Sequence, residues 1–248
     1  MSLLDTKNLM QGISLDCVIF GFHNNDLRVL LLELKNIKLC ALPGGFIAND
    51  EDVDLAASRV LQNRTGMTDI FLQQFYLFGK VSRNVPGHAD RLVREKLIGK
   101  DLYSFFNRRY VTIGYYALVE YTKVNPLPDE ISVKCDWYNI NDLPGLILDH
   151  REIILQAHET LKSHLNFKPI GIKLLPAKFT LRDIQSLYET ILSKKLDRRN
   201  FRRKILGFNI LNALQERRTG LAQRPAQLYK FNLSQYNRAL HEGLNQGW

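Results

Sequence analysis

The densest run of side chains able to do chemistry is Arg198-Arg199-Asn200-Phe201-Arg202-Arg203-Lys204. Arginine presents paired N–H donors that match O6 and N7 of guanine. Asparagine matches the N6/N7 edge of adenine, and the remaining cations suit phosphates. Asp197 is a natural N-cap just before the run, and Phe201, Ile205 and Leu206 recur at helical spacing. The predicted helix therefore has an apolar anchor and a basic face, as a recognition helix needs. Arg217, Arg218 and Arg224 follow in a Gly-containing segment read as a turn between short strands at 210–214 and 226–231, which suits a wing over the phosphate backbone. A basic helical hairpin that binds protein, acidic lipid or RNA is the alternative left open by this run alone.

The charge distribution sharpens that reading. The chain of 248 residues carries +9, yet residues 178–238 hold 14 Lys or Arg and only four acids, a surplus of +10. Everything else nets to −1, so the basic excess is local and fits a nucleic-acid footprint better than general solubility.

A second concentration is acidic: Asp50, Glu51, Asp52 and Asp54, with Arg59 eight residues after Glu51. Carboxylates so grouped either attract a cation or favour the positive end of a helix. The elements that would position them are legible. Runs at 15–22 and 27–34, separated by His23-Asn24-Asn25-Asp26, predict a hairpin. Leu42-Pro43-Gly44-Gly45-Phe46 predicts a permissive loop, and residues 52–64 predict a helix with apolar positions at Val53, Ala56, Ala57, Val60 and Leu61. Strands are expected at 71–78, 110–121 and 134–140, and an amphipathic helix at 151–165 with Asp149 as its cap. Residues 87–107 read as a polar insertion with room for a short helix, and 166–176 as a linker. Beyond it, Thr180 and Asp183 form a capping box for a helix carrying Leu181, Ile184, Leu187, Tyr188, Ile191 and Leu192.

Gly45, Glu51, Arg59, Leu61, Gly66 and Met67 resemble, in register, the Nudix box of Gly, five residues, Glu, seven residues, Arg-Glu, and a closing Gly-aliphatic pair. The three glutamates by which Nudix hydrolases hold divalent metal fall here on Val60, Asn63 and Arg64. No catalytic residue, metal or cofactor is therefore expected. A divergent hydrolase of nucleoside diphosphate derivatives, with a basic tail for nucleic acid or a partner, is the rival reading.

The whole chain further resembles the Nudix-related transcriptional regulators. The residues that carry this include Phe78-Gly79, Arg83, residues 111–118, Leu148-Asp149-His150, residues 187–192, 196–205 and 224–231. The resemblance implies an α+β chain: a Nudix α/β/α sandwich with a mixed sheet over residues 1–165, a linker over 166–177, and a winged helix-turn-helix over 178–248. It also implies homodimers on double-stranded, palindromic operator DNA and a small effector, ADP-ribose in some members and a pentose such as arabinose in others. Glu33, Phe46, Arg83, Asp149 and His150 are the effector-binding candidates. This sequence departs from the family in the insertion after Pro86 and in a shortened loop before Leu42 that lacks the usual tryptophan.

No run of about 18 apolar residues offers a membrane span, and residues 1–11 lack the basic flank and apolar core of a secretory signal. Cys17, Cys40 and Cys135 fall outside metal-ligand spacings and read as reduced structural thiols, so a cytoplasmic protein is expected.

Overall fold

The computed structural model describes residues 6–68, 70–169, 174–218 and 225–243. Two compact units divide it: Met1–Gly21 with Arg28–Ala157, and Phe22–Leu27 with His158–Trp248.

The first unit is built on a mixed sheet. Strands β1 (Ile13–His23) and β2 (Asp26–Leu34) form the expected hairpin, whose turn places Asn24 and Asn25 at φ 50° and 64°. Asparagine tolerates that left-handed region better than most residues. β3 (Cys40–Ala41) pairs with β2, and β4 (Gly44–Gly45) pairs with β1. The predicted loop thus contains a short strand. A Cβ on Gly44 would lie 2.7 Å from Asp16 Oδ1 and 2.9 Å from the Leu15 carbonyl, so this close approach requires glycine. Helix α1 (Val53–Thr65) starts at Asp52 and ends at Gly66 in the left-handed conformation, a C-terminal stop that suits glycine.

β5 (Phe71–Phe78) lies at the edge of the sheet. The insertion that follows folds into α2 (His88–Arg94), a 3-10 turn and α3 (Tyr103–Phe106). β6 (Val111–Val119) then runs parallel to β1, and β7 (Ser132–Asn139) pairs antiparallel with β2. The order β3-β2-β1-β6-β5 has β4 and β7 attached to β1 and β2. Alternation along β1 divides its side chains between two faces. Leu15, Cys17 and Ile19 join Ala56, Ala57, Val60 and Leu61 of α1 in one core, and Asp16 points the other way, toward the start of α4 (His150–Phe167).

The second unit holds a three-stranded sheet, β8 (Phe179–Thr180), β10 (Ala226–Phe231) and β9 (Leu211–Arg218), with β10 in the middle. Around it lie α5 (Leu181–Leu192), α6 (Arg198–Gly207) and α7 (Leu233–Glu242). Its core draws Ile184, Leu187, Tyr188 and Ile191 from α5, Phe201 and Ile205 from α6, and Tyr236 from α7. Tyr188 meets Phe201 edge-on at 5.6 Å. The tip 22–27 belongs to this unit: Ser186 Oγ donates to Asn25 Oδ1 at 2.5 Å, and Thr190 Oγ1 donates to the Asn25 carbonyl at 2.9 Å.

Candidate nucleic-acid interface and candidate effector site

In α6 the apolar and basic residues separate as their spacing demands. Phe201 and Ile205, four apart, are buried, while Arg198, Arg199, Asn200, Arg202 and Arg203 are exposed and Lys204 is half-buried. Asp197 Oδ1 accepts from the Asn200 amide at 2.9 Å, which satisfies one of the unpaired N–H groups at the helix start. Arg203 donates to Asn200 Oδ1 at 3.2 Å. Upstream, the capping box of α5 is complete: Thr180 Oγ1 accepts from the Asp183 amide, and Asp183 accepts from the Thr180 amide at 2.7 Å.

The expected basic turn needs correcting. Arg217 and Arg218 are not in a turn but on β9, opposite Gln227 and Ala226 of β10. The strand is longer than its apolar pattern because backbone pairing with β10 holds residues that lack any alternation. Both arginines are exposed, and Arg218 pairs with Asp183 at 2.9 Å. Arg224 and the Thr219-Gly220 pair lie outside the described residues. Arg182, Arg198, Arg202 and Arg218 line one groove of roughly 1100 Å³ in this unit, together with Asp183 and Glu189.

The effector candidates divide into three places. Arg83, Asp149 and His150 converge on a residue that sequence reasoning missed, Asp16. Arg83 reaches Asp16 Oδ2 at 3.1 Å and Asp149 Oδ1 at 2.5 Å, with only 6% of its side chain exposed. Thr112 Oγ1 donates to Asp16 Oδ2 at 2.9 Å, and His150 Nε2 lies 3.7 Å from Asp16 Oδ1. The other ring nitrogen of His150 accepts from the Leu42 amide at 2.9 Å, tying the cluster to the Pro-Gly-Gly segment. Since Nδ1 accepts, the proton of a neutral ring belongs on Nε2. Burial pushes the His150 pKa down, against the pull of Asp16. A lone acid inside the apolar run 15–22 was the signal for Asp16, because a buried carboxylate needs partners.

Glu33 stands apart from this cluster, on β2, where it accepts from the Tyr138 hydroxyl. Phe46 sits in an aromatic group with Phe105 (centroids 4.8 Å apart), Phe106 and Tyr110. The insertion therefore supplies two of the rings that pack on Phe46, those of Phe105 and Phe106.

Within the box, Arg59 forms a two-pronged pair with Glu51 at 2.7 Å through each prong and also donates to the Phe46 carbonyl. That pairing holds Glu51 below the usual carboxylate range. Val60 is buried, and its methyl would lie 2.9 Å from a Cβ on Gly45. Asn63 is exposed, and Arg64 pairs with Asp129 at 3.2 Å. Among the described residues no group of three or more His, Cys, Asp or Glu is placed to hold a metal ion.

Residues 171–231 match the NrtR DNA-binding winged helix domain. Across the chain, the ADPR-responsive transcriptional repressor NtrR of Acinetobacter baylyi is 28% identical over 232 residues, spanning 91% of this chain and 84% of that protein. Shewanella oneidensis NrtR, solved with a 27mer DNA, superposes with a TM-score of 0.74 at 26% identity, covering 96% of this chain and all of that one. The chain is thus similar to the Nudix-related transcriptional regulators along most of its length. A MutT/nudix family protein from Enterococcus faecalis shares the fold with this chain at a TM-score of 0.65 and 17% identity, over 90% of this chain and 87% of that one. In this chain, then, the mixed sheet and box helix form the Nudix-like part, and α5, α6 and the β8-β10-β9 sheet form the winged helix. No described helix is long and apolar enough to cross a membrane.

Proposed function

We propose that this chain is a cytoplasmic, DNA-binding transcriptional regulator that acts as a homodimer on operator DNA and senses an ADP-ribose-like nucleotide without hydrolysing it. The observation that carries the reading is α6: five exposed side chains able to contact bases or phosphates stand on a capped helix, anchored by Phe201 and Ile205. The +10 surplus of residues 178–238 supplies the electrostatic footprint.

Likeness to an ADPR-responsive repressor over nearly the whole chain favours the nucleotide over a pentose. Hydrolysis would require a divalent cation at the box helix, and the residues present do not fit one. Val60 is buried and aliphatic, Asn63 is a neutral amide, and Arg64 is a cation already paired with Asp129. Binding and turnover thus separate in a calorimetric titration with ADP-ribose, with arabinose as control, run with Mg²⁺ while products are followed. Saturable binding of ADP-ribose with no AMP released is expected. Metal-dependent release of AMP would establish the hydrolase instead.

A further inference from the structure

The turn that joins α5 to α6 sets the direction in which the basic face points, and side chains of α5 hold it, with Glu189 at the centre. Glu189 Oε1 accepts from the Leu196 amide at 2.9 Å, and Gln185, one turn earlier on α5, donates to the same oxygen at 3.1 Å and to the Leu196 carbonyl at 3.0 Å. Both backbone groups of Leu196, the residue just before the Asp197 cap, are thereby fixed by two side chains of α5. The backbone adds to this: the Lys194 amide donates to the Glu189 carbonyl at 3.2 Å, and Ser193 takes up φ 52° as the helix ends.

Electrostatics alone argues against an acid at this position. Glu189 lines the same groove as Arg198 and Arg202, and a carboxylate there repels phosphate. Its ion pair with Lys195 is no compensation, because the lysine side chain is 93% exposed and such pairs contribute little. The Glu189 side chain itself is only 17% exposed, so its hydrogen bond to Leu196 is shielded from water.

We propose that Glu189 is a positioning residue for DNA recognition: it locks the turn before α6 and so aims the base-reading side chains. The inference rests on the DNA-binding function above. It predicts that sequence selectivity depends on Glu189 while general affinity for DNA does not, since Arg198, Arg199, Arg202 and Arg203 remain present to meet phosphates.

Two near-isosteric variants separate position from charge. Glu189→Gln removes the charge and keeps an acceptor for Leu196, whereas Glu189→Met removes both. The full chain would be titrated with an operator selected from its own upstream DNA and with a scrambled duplex, at several salt concentrations, with thermal unfolding in parallel. Gln is expected to keep the wild-type ratio of operator to scrambled affinity. Met is expected to lose about tenfold in that ratio, with scrambled affinity and salt slope unchanged relative to Gln. Gln185→Met, which removes the bridging donor, should shift the ratio in the same direction.

Equal ratios in the Gln and Met variants would overturn the role. So would a Met variant that loses operator and scrambled binding alike along with its thermal stability, since that marks Glu189 as a stability residue only. A wild-type protein with no selectivity would instead sink the DNA-reading function itself.

Discussion

Among the described residues, burial pushes the pKa of His150, His88, His158 and His164 below the usual value. In each the folded chain resists the proton that the unfolded chain accepts, so acid favours unfolding. Their contribution is complete above about pH 6.5 and is lost as pH falls from there toward the depressed native values. The carboxylates held low, Glu51, Asp136, Glu159 and Glu189, keep their contribution until the pH nears their ordinary range, about 4. The urea midpoint of unfolding should therefore fall between about pH 7.5 and about pH 5.5. A flat or rising midpoint over that interval would show that the folded chain carries these rings protonated. At this scale the sequence reading was uneven. Arg83, Asp149 and His150 were singled out and do meet, but periodicity cannot show which strand residue they meet on, and Asp16 is that residue. Glu33 and Phe46 fall on other partners for the same reason: their neighbours, Tyr138 and Phe105, are distant in sequence.

Helices with a chemical start signal were the most legible elements. The Thr180–Asp183 box before α5 and Asp197 before α6 sit where the backbone needs an acceptor, and both boundaries follow. α1, expected over 52–64, begins at Val53, with Asp52 just before it making no side-chain capping bond. The cap of α6 has a measurable weight. Asp197→Ala should destabilise the helix by about 1 kcal/mol, seen as roughly fivefold faster hydrogen exchange at the Phe201 and Ile205 amides. Unchanged exchange there would mean that Phe201 and Ile205 packing alone fixes the helix. Elements without a local signal were missed. β8 is two residues long and exists only because Phe179 and Thr180 pair with Tyr229 and Leu228. The outer half of β9 carries Gln215, Glu216, Arg217 and Arg218, a polar run with no alternation to read. α7 did leave a signal that went unread: Asn232 accepts from the Gln235 amide as an N-cap, and Tyr236 is buried four residues later.

At the scale of the whole molecule, two kinds of information were separable in the sequence. Apolar runs and box spacing pointed to the strands and their helix, the family resemblance to a mixed sheet, and the confined charge surplus to the second unit as the one expected to meet DNA. The insertion could be seen as an interruption, but its role in packing Phe105 and Phe106 on Phe46 depends on contacts across about 60 residues. The central claim, that this chain reads DNA and that a nucleotide changes the reading, is tested most directly by a gel shift on its own upstream DNA. Salt would be varied around about 0.15 M, with and without ADP-ribose, for wild type and an Arg202→Ala, Arg203→Ala double variant. Selective binding that weakens steeply with salt, shifts with ADP-ribose and disappears in the double variant is the predicted result. Weak, non-selective binding at physiological salt, or binding indifferent to the loss of Arg202 and Arg203, would contradict it.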